Sequence, residues 1–151
     1  MIKEIPINSV EYDICKTQGE IYEYAAKKGY HIKEFSDAYL HSDFCRRAMD
    51  TEYSRFQLEE AGECWDFIEP EIGSYIEEHK YSGEAIFDPA VAYWIGFTYR
   101  WIYIRTMIRG EELTSKVSFE DLVAYYPGLH TIDEGMAFET IYMDLLKEKA
   151  E

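Results

Sequence analysis

The stretch from Asp88 to Gly110, DPAVAYWIGFTYRWIYIRTMIRG, constrains the fold more than any other part of the chain. Asp88 suits an N-cap, Pro89 the first helical position and Gly110 a C-terminal stop. Between them lie roughly twenty residues, about 30 Å of helix at 1.5 Å per residue. Large apolar and aromatic side chains fall on every side, as in a helix buried nearly all round. Arg100 and Arg105 interrupt the run and leave it short of the ~18–20 uncharged residues that a membrane span requires. The expectation is a central core helix over about 89–109 with other helices packed around it.

The remaining segments carry helical punctuation. Asn8 and Ser9 can cap a first helix running to Lys28, which Gly29 stops. A second helix spans about Ile32 to Leu40, and a short helical turn Asp43 to Met49 follows. Ser54-x-x-Gln57 reads as a capping box opening a helix to Glu69, where Pro70 ends or kinks it. A further short helix, Glu71 to His79, precedes the turn at Tyr81-Ser82-Gly83. Ser118 starts another helix that Pro127-Gly128 stops, and Thr131 to Glu134 caps the last, which runs to about Lys149. Only Ala85-Ile86-Phe87 approaches strand-like alternation. The predicted fold class is all-α, a compact bundle of about six to eight helices. With 151 residues the prior is a single helical domain, although Lys80 to Gly83 could divide lobes 1–80 and 84–151.

Charge is the sharpest functional signal. Thirty acidic residues against fifteen basic ones give a net charge of −15. Such a chain is repelled by nucleic acid and anionic membranes, so neither is an expected direct partner, and it attracts basic protein surfaces. Residues 50–88 hold twelve acids, opposed only by Arg55 and Lys80, for a net −10. Glu59, Glu60, Glu63, Asp66 and Glu69 would fall close together on one helix, with Glu71, Glu77 and Glu78 continuing the acidic run. Like charges at those spacings destabilise an isolated helix by about 0.2–0.5 kcal/mol per pair. The stripe is therefore either a surface for a basic partner or a solvated face that aids solubility.

Catalytic signatures are missing from this sequence. It has no H-E-x-x-H, zinc spacing, calcium loop, phosphate-cradling glycine loop or G-x-S-x-G. No histidine has a glutamate three residues before it, as di-iron bundles need. No cofactor or metal is expected. Cys15, Cys45 and Cys64 suit buried thiols in a reducing cytoplasm, and Met1–Pro6 lacks the apolar run of a signal peptide. Arg100 and Arg105 need carboxylates or carbonyls if buried, or contact a ligand. His130 reads as a loop or cap histidine, with a general base as the alternative. The 17% aromatic content, including 14 Tyr, fits ring packing in the core and at contact surfaces.

Two stretches carry a resemblance. Gln18 to Tyr30 (QGEIYEYAAKKGY), followed by Phe35, Tyr39-Leu40 and Ser42-Asp43, resembles one group of small uncharacterised proteins of Firmicutes-type bacteria. Ala92 to Trp101 (AYWIGFTYRW), with Leu129 to Ala137 (LHTIDEGMA), is similar to a second group. Members of both tend to be encoded beside ADP-ribosyltransferase-like toxins. The resemblance implies an antitoxin or accessory role in bacteria or phage and carries no catalytic residue. The leading expectation is a non-catalytic acidic inhibitor that docks on a basic partner, a toxin or a nucleic-acid-binding enzyme. Two alternatives are a nucleic-acid mimic of the anti-CRISPR type and a small-molecule enzyme using Arg100 and His130. Homo-oligomerisation is left open.

Overall fold

The computed structural model describes residues 7–52 and 54–147. The Met1–Pro6 stretch and the predicted end of the last helix near Lys149 lie outside these residues. The elements in chain order are α1 (Ser9–Lys27), α2 (Ile32–Leu40), a π-helical turn (Cys45–Met49), a 3-10 turn (Arg55–Leu58), α3 (Ala61–Glu78), α4 (Pro89–Thr106), α5 (Gly110–Lys116), α6 (Phe119–Leu129), α7 (Glu134–Ile141) and a final π-helical turn (Tyr142–Leu146). The fold is all-α, with no strand among the described residues. Ala85–Phe87 runs as irregular chain, and the Ile86 carbonyl accepts a hydrogen bond from the Ile32 N–H at 3.0 Å.

Local chemistry sets most of the helix starts. Asn8 accepts from the Glu11 N–H while the Glu11 carboxylate accepts from the Asn8 N–H, and Ser118 and Asp121 repeat that reciprocal pair at α6. Asp88 caps α4 through the Ala90 N–H with Pro89 in the first turn, and Asp133 caps α7 through the Met136 N–H.

The core is organised by α1 lying against α4, the most extensive pairing in the molecule, which bridges the two sides of the Lys80–Gly83 turn. Two glycines let the backbones meet. A Cβ on Gly19 would lie 2.9 Å from the Tyr93 ring and 3.0 Å from its carbonyl oxygen. One on Gly96 would lie 2.6 Å from Tyr22 Cγ and 2.8 Å from the Gln18 carbonyl oxygen. Around this crossing α3 packs on α1 and α2, while α6 and α7 pack on α4. Rings fill the space between α1, α2 and α3. Tyr22 meets Phe35 edge-on at 5.2 Å, and Phe35 stacks on Trp65 at 5.4 Å.

Several boundaries differ from the sequence expectation, each for a local reason. Ser54 and Gln57 do form a capping box, but it closes only the 3-10 turn. The Gln57 amide also donates to the Met49 and Thr51 carbonyls, which draws the turn onto the preceding loop. Glu59 then extends, so Glu59 and Glu60 precede α3 and do not share its helix with Glu63. Pro70 does not end that helix, and Glu71–His79 is no separate element. Pro70 and Asp66 are exposed, so the Asp66 carbonyl that loses its helical partner meets water, while Ile68, Ile72 and Ile76 continue the buried stripe. Pro127 and Gly128 likewise lie within α6. The central helix ends at Thr106, where Met107 turns left-handed at φ 63°, and Gly110 opens α5, a helix the sequence reading lacked. The Thr106 hydroxyl donates to the Ile102 carbonyl at 2.7 Å and accepts from the Ile108 N–H, completing the turn.

The glycine contact gives a direct test. Gly96→Ala gains about 1 kcal/mol of helix propensity, yet its methyl must push backbone apart, and overpacking of this kind costs about 1–3 kcal/mol. Urea unfolding of the variant should show a net loss of stability; an unchanged midpoint would mean that the two helices spread freely.

Candidate functional site

The outer face of α3 gathers the acidic residues that the sequence marks. Cys64, Trp65, Ile68, Ile72 and Ile76 point inward, and Glu63, Asp66, Glu77 and Glu78 are exposed on the other side. From Glu63 to Glu78 the helix advances about 22 Å. Phe67 lies on the same outer side, 52% exposed, with its ring 4.8 Å from that of Phe56. Leu58, 59% exposed, precedes the helix. Glu60 is exposed at the start of α3 and Glu59 is half-buried beside it.

Two of the acids are committed to internal bonds. The Glu71 carboxylate accepts from the Asp43 and Phe44 N–H groups at 3.0 and 2.7 Å, closing the start of the π-helical turn. Glu69 accepts from the Tyr30 hydroxyl at 3.2 Å and pairs with Lys28 at 3.3 Å. The neighbouring Trp65 indole, then Lys28 and Tyr30, hold its carboxyl below the usual carboxylate range. Glu77 pairs with exposed Lys80 at 3.5 Å, a contact that water screens.

Arg100 is 1% exposed and lies at the centre of a hydrogen-bond network. Its Nη1 donates to Asp50 Oδ1 at 2.7 Å and to the Met49 carbonyl at 3.1 Å. Its Nε and Nη2 both donate to Gln18 Oε1, at 2.9 and 2.7 Å, and the Tyr39 hydroxyl donates to the same oxygen. The Gln18 amide in turn donates to the Gly96 carbonyl at 2.8 Å, tying α1 to α4. Burial by itself would weaken the hold of Arg100 on its proton, but Cys45 and Asp50 oppose it and the guanidinium's pKa is raised. Arg100 is therefore a fixed cation.

This network borders a cleft of about 660 Å³ whose wall includes Glu11, Asp50, Glu52, Tyr103 and Arg109. Arg109 donates to the Asp50 carbonyl at 3.3 Å, so both arginines of the cleft are engaged by the same residue. His130 stands elsewhere. It stacks on Tyr126 at 4.1 Å, and its Nδ1 bonds the Tyr126 carbonyl at 2.6 Å. The structure does not bring Arg100 and His130 into one pocket. Arg105 lies with its guanidinium 4.9 Å from the Phe138 ring centre, on the α7 side of α4. Among the described residues no three His, Cys, Asp or Glu side chains form a metal-binding group, and no helix is long and apolar enough to cross a membrane.

All three cysteines are buried and free. Burial pushes the Cys45 thiol up to about 12 despite the Arg100 charge beside it, and burial with Glu59 and Glu63 pushes Cys64 to about 12. Burial raises Cys15 further. None carries the depressed pKa of a nucleophile. Gln18 and Asp50 are the network residues that the sequence does not single out as a site. The signal present for Gln18 is a large polar side chain amid the inward positions Cys15, Ile21 and Tyr22.

The chain matches no family model, and neither curated proteins nor solved structures yield a significant match.

Two measurements check this geometry. Arg100→Met leaves Asp50 as an uncompensated buried charge and should lower unfolding free energy by about 3–5 kcal/mol in urea; a loss below about 1 kcal/mol would contradict the network. A thiol-reactive dye at about pH 8 should label no cysteine rapidly in the native protein and all three in denaturant, because burial shields each thiol and holds it protonated until unfolding exposes it and lets it partly ionise.

Proposed function

We propose that this chain is a non-catalytic, acidic helical protein that inhibits or accompanies a basic partner by docking through the outer face of α3. The observation that carries the reading is the exposed Phe67 ring flanked by Glu63 and Asp66, with Glu77 and Glu78 further along the same helix. An aromatic anchor supplies apolar contact area, and the surrounding carboxylates steer a basic surface and fix its register. The resemblance to proteins encoded beside ADP-ribosyltransferase-like toxins is the ground for taking that partner to be a bacterial toxin or other basic enzyme. The three free, buried thiols suit action in a reducing compartment. Tight internal commitment of Arg100 and its separation from His130 weigh against an enzyme built on that pair.

Affinity capture from native lysate at low and high salt tests the proposal. Wild-type protein should retain a basic partner and release it as salt rises. A variant with Glu63→Gln, Asp66→Asn, Glu77→Gln and Glu78→Gln should lose that partner, with stability changed by only about 0.5 kcal/mol per exposed site. Undiminished capture by the variant, or retention indifferent to salt, overturns the docking face. Release of the captured partner by added DNA or RNA would assign the nucleic-acid-mimic reading instead.

A further inference from the structure

A second site lies across the molecule's central helix, in a crevice of about 220 Å³ between α1, α4, α6 and the start of α7. Its walls are chiefly rings. Tyr12 comes from α1, Tyr93, Trp94 and Phe97 from α4, Tyr126 from α6, and His130 from the turn before α7. The rings brace one another. Tyr12 meets Phe97 edge-on at 5.3 Å, Trp94 meets Tyr126 edge-on at 5.7 Å, and Tyr93 stacks on Phe97 at 6.1 Å. One carboxylate joins them. Glu134, the first residue of α7, lines the crevice and accepts from the Tyr12 hydroxyl at 3.1 Å. Among the described residues, no lysine or arginine is in the lining.

We propose that this crevice binds a small quaternary ammonium ion carrying a trimethylammonium group. Aromatic rings attract cations through their quadrupoles, and a ring-walled pocket is the usual solution for N-methylated cations. Such an ion sheds water readily, because its charge is covered by methyl groups that suit apolar walls. A compact, strongly hydrated ammonium or metal ion would have to give up far more. An anion would meet Glu134, and a neutral ligand would gain the walls and leave the carboxylate without a charged partner. The α7 N-terminus contributes partial positive charge, but Asp133 and Glu134 both sit there and outweigh it. Burial, the hydrogen bond to Glu134 and its charge raise the Tyr12 pKa, so the hydroxyl keeps its proton and orients that carboxylate.

The probe is choline, compared with 3,3-dimethylbutan-1-ol, its neutral carbon isostere. Calorimetry and the methyl proton shifts of each ligand report binding to the full chain. Choline should bind at least about fivefold more tightly than the alcohol, and its methyl signals should move upfield under ring currents. Glu134→Gln should weaken choline about fivefold and leave the alcohol unaffected. Tyr126→Leu should weaken choline while circular dichroism stays unchanged; if that variant unfolds, Glu134→Gln alone decides. Absence of choline binding, equal affinity for the two ligands, or an unaffected Glu134→Gln variant overturns the assignment.

Discussion

The buried guanidinium of Arg100 is the constraint on which the rest of the structure depends. A charge without access to water is tolerated only when its donors are matched, and here the matches come from distant parts of the chain. Gln18 arrives on α1, Asp50 and the Met49 carbonyl at the end of the π-helical turn, and Arg100 itself on α4. Any arrangement that slides one of these elements leaves a buried polar group unmatched. Apolar packing alone could fill the same volume in several ways, whereas this pattern of donors and acceptors fits one. The π-helical turn follows the same logic. Its wide winding, closed by the Asp50 N–H on the Cys45 carbonyl at 2.7 Å, sets both Asp50 and the Met49 carbonyl against Arg100.

Where the sequence is legible, local chemistry and tertiary packing agree. The cap at Asp88 with Pro89, the capping pair at Asn8 and Glu11, and the all-round apolar character of α4 each specify one outcome. Where they disagree, packing prevails. Pro70 is a helix breaker by propensity, but the inward Ile68, Ile72 and Ile76 hold α3 together across it, and the breach opens to water. Gly110 looks like a stop, yet the chain turns three residues earlier at Met107, and Arg109 then reaches the Asp50 carbonyl. The candidate sites divide in the same way. Acids on one face of α3 follow from helical periodicity. The Arg100 network and the ring-walled crevice do not, because their members lie up to 82 and 122 residues apart.

The acidic face and the crevice use opposite ends of the side-chain repertoire. On α3 the charges stand in water, where each is worth little and the array matters through its summed field. In the crevice a single carboxylate is set among rings, where one charge counts for more because less water screens it. A chain with a large acidic excess and many aromatic residues is suited to both, and the fold keeps them on different helices.

The close approach at Gly19 and Gly96 reaches beyond packing. A side chain at either glycine would run into a ring or carbonyl of the facing helix, so α1 and α4 meet closely only where these glycines lie. Because α3 rests on α1, its outward surface is held on a stiff strut. For the docking proposed on that face, a shape set before contact would spare the entropy of ordering it, so more of the contact energy would survive as affinity.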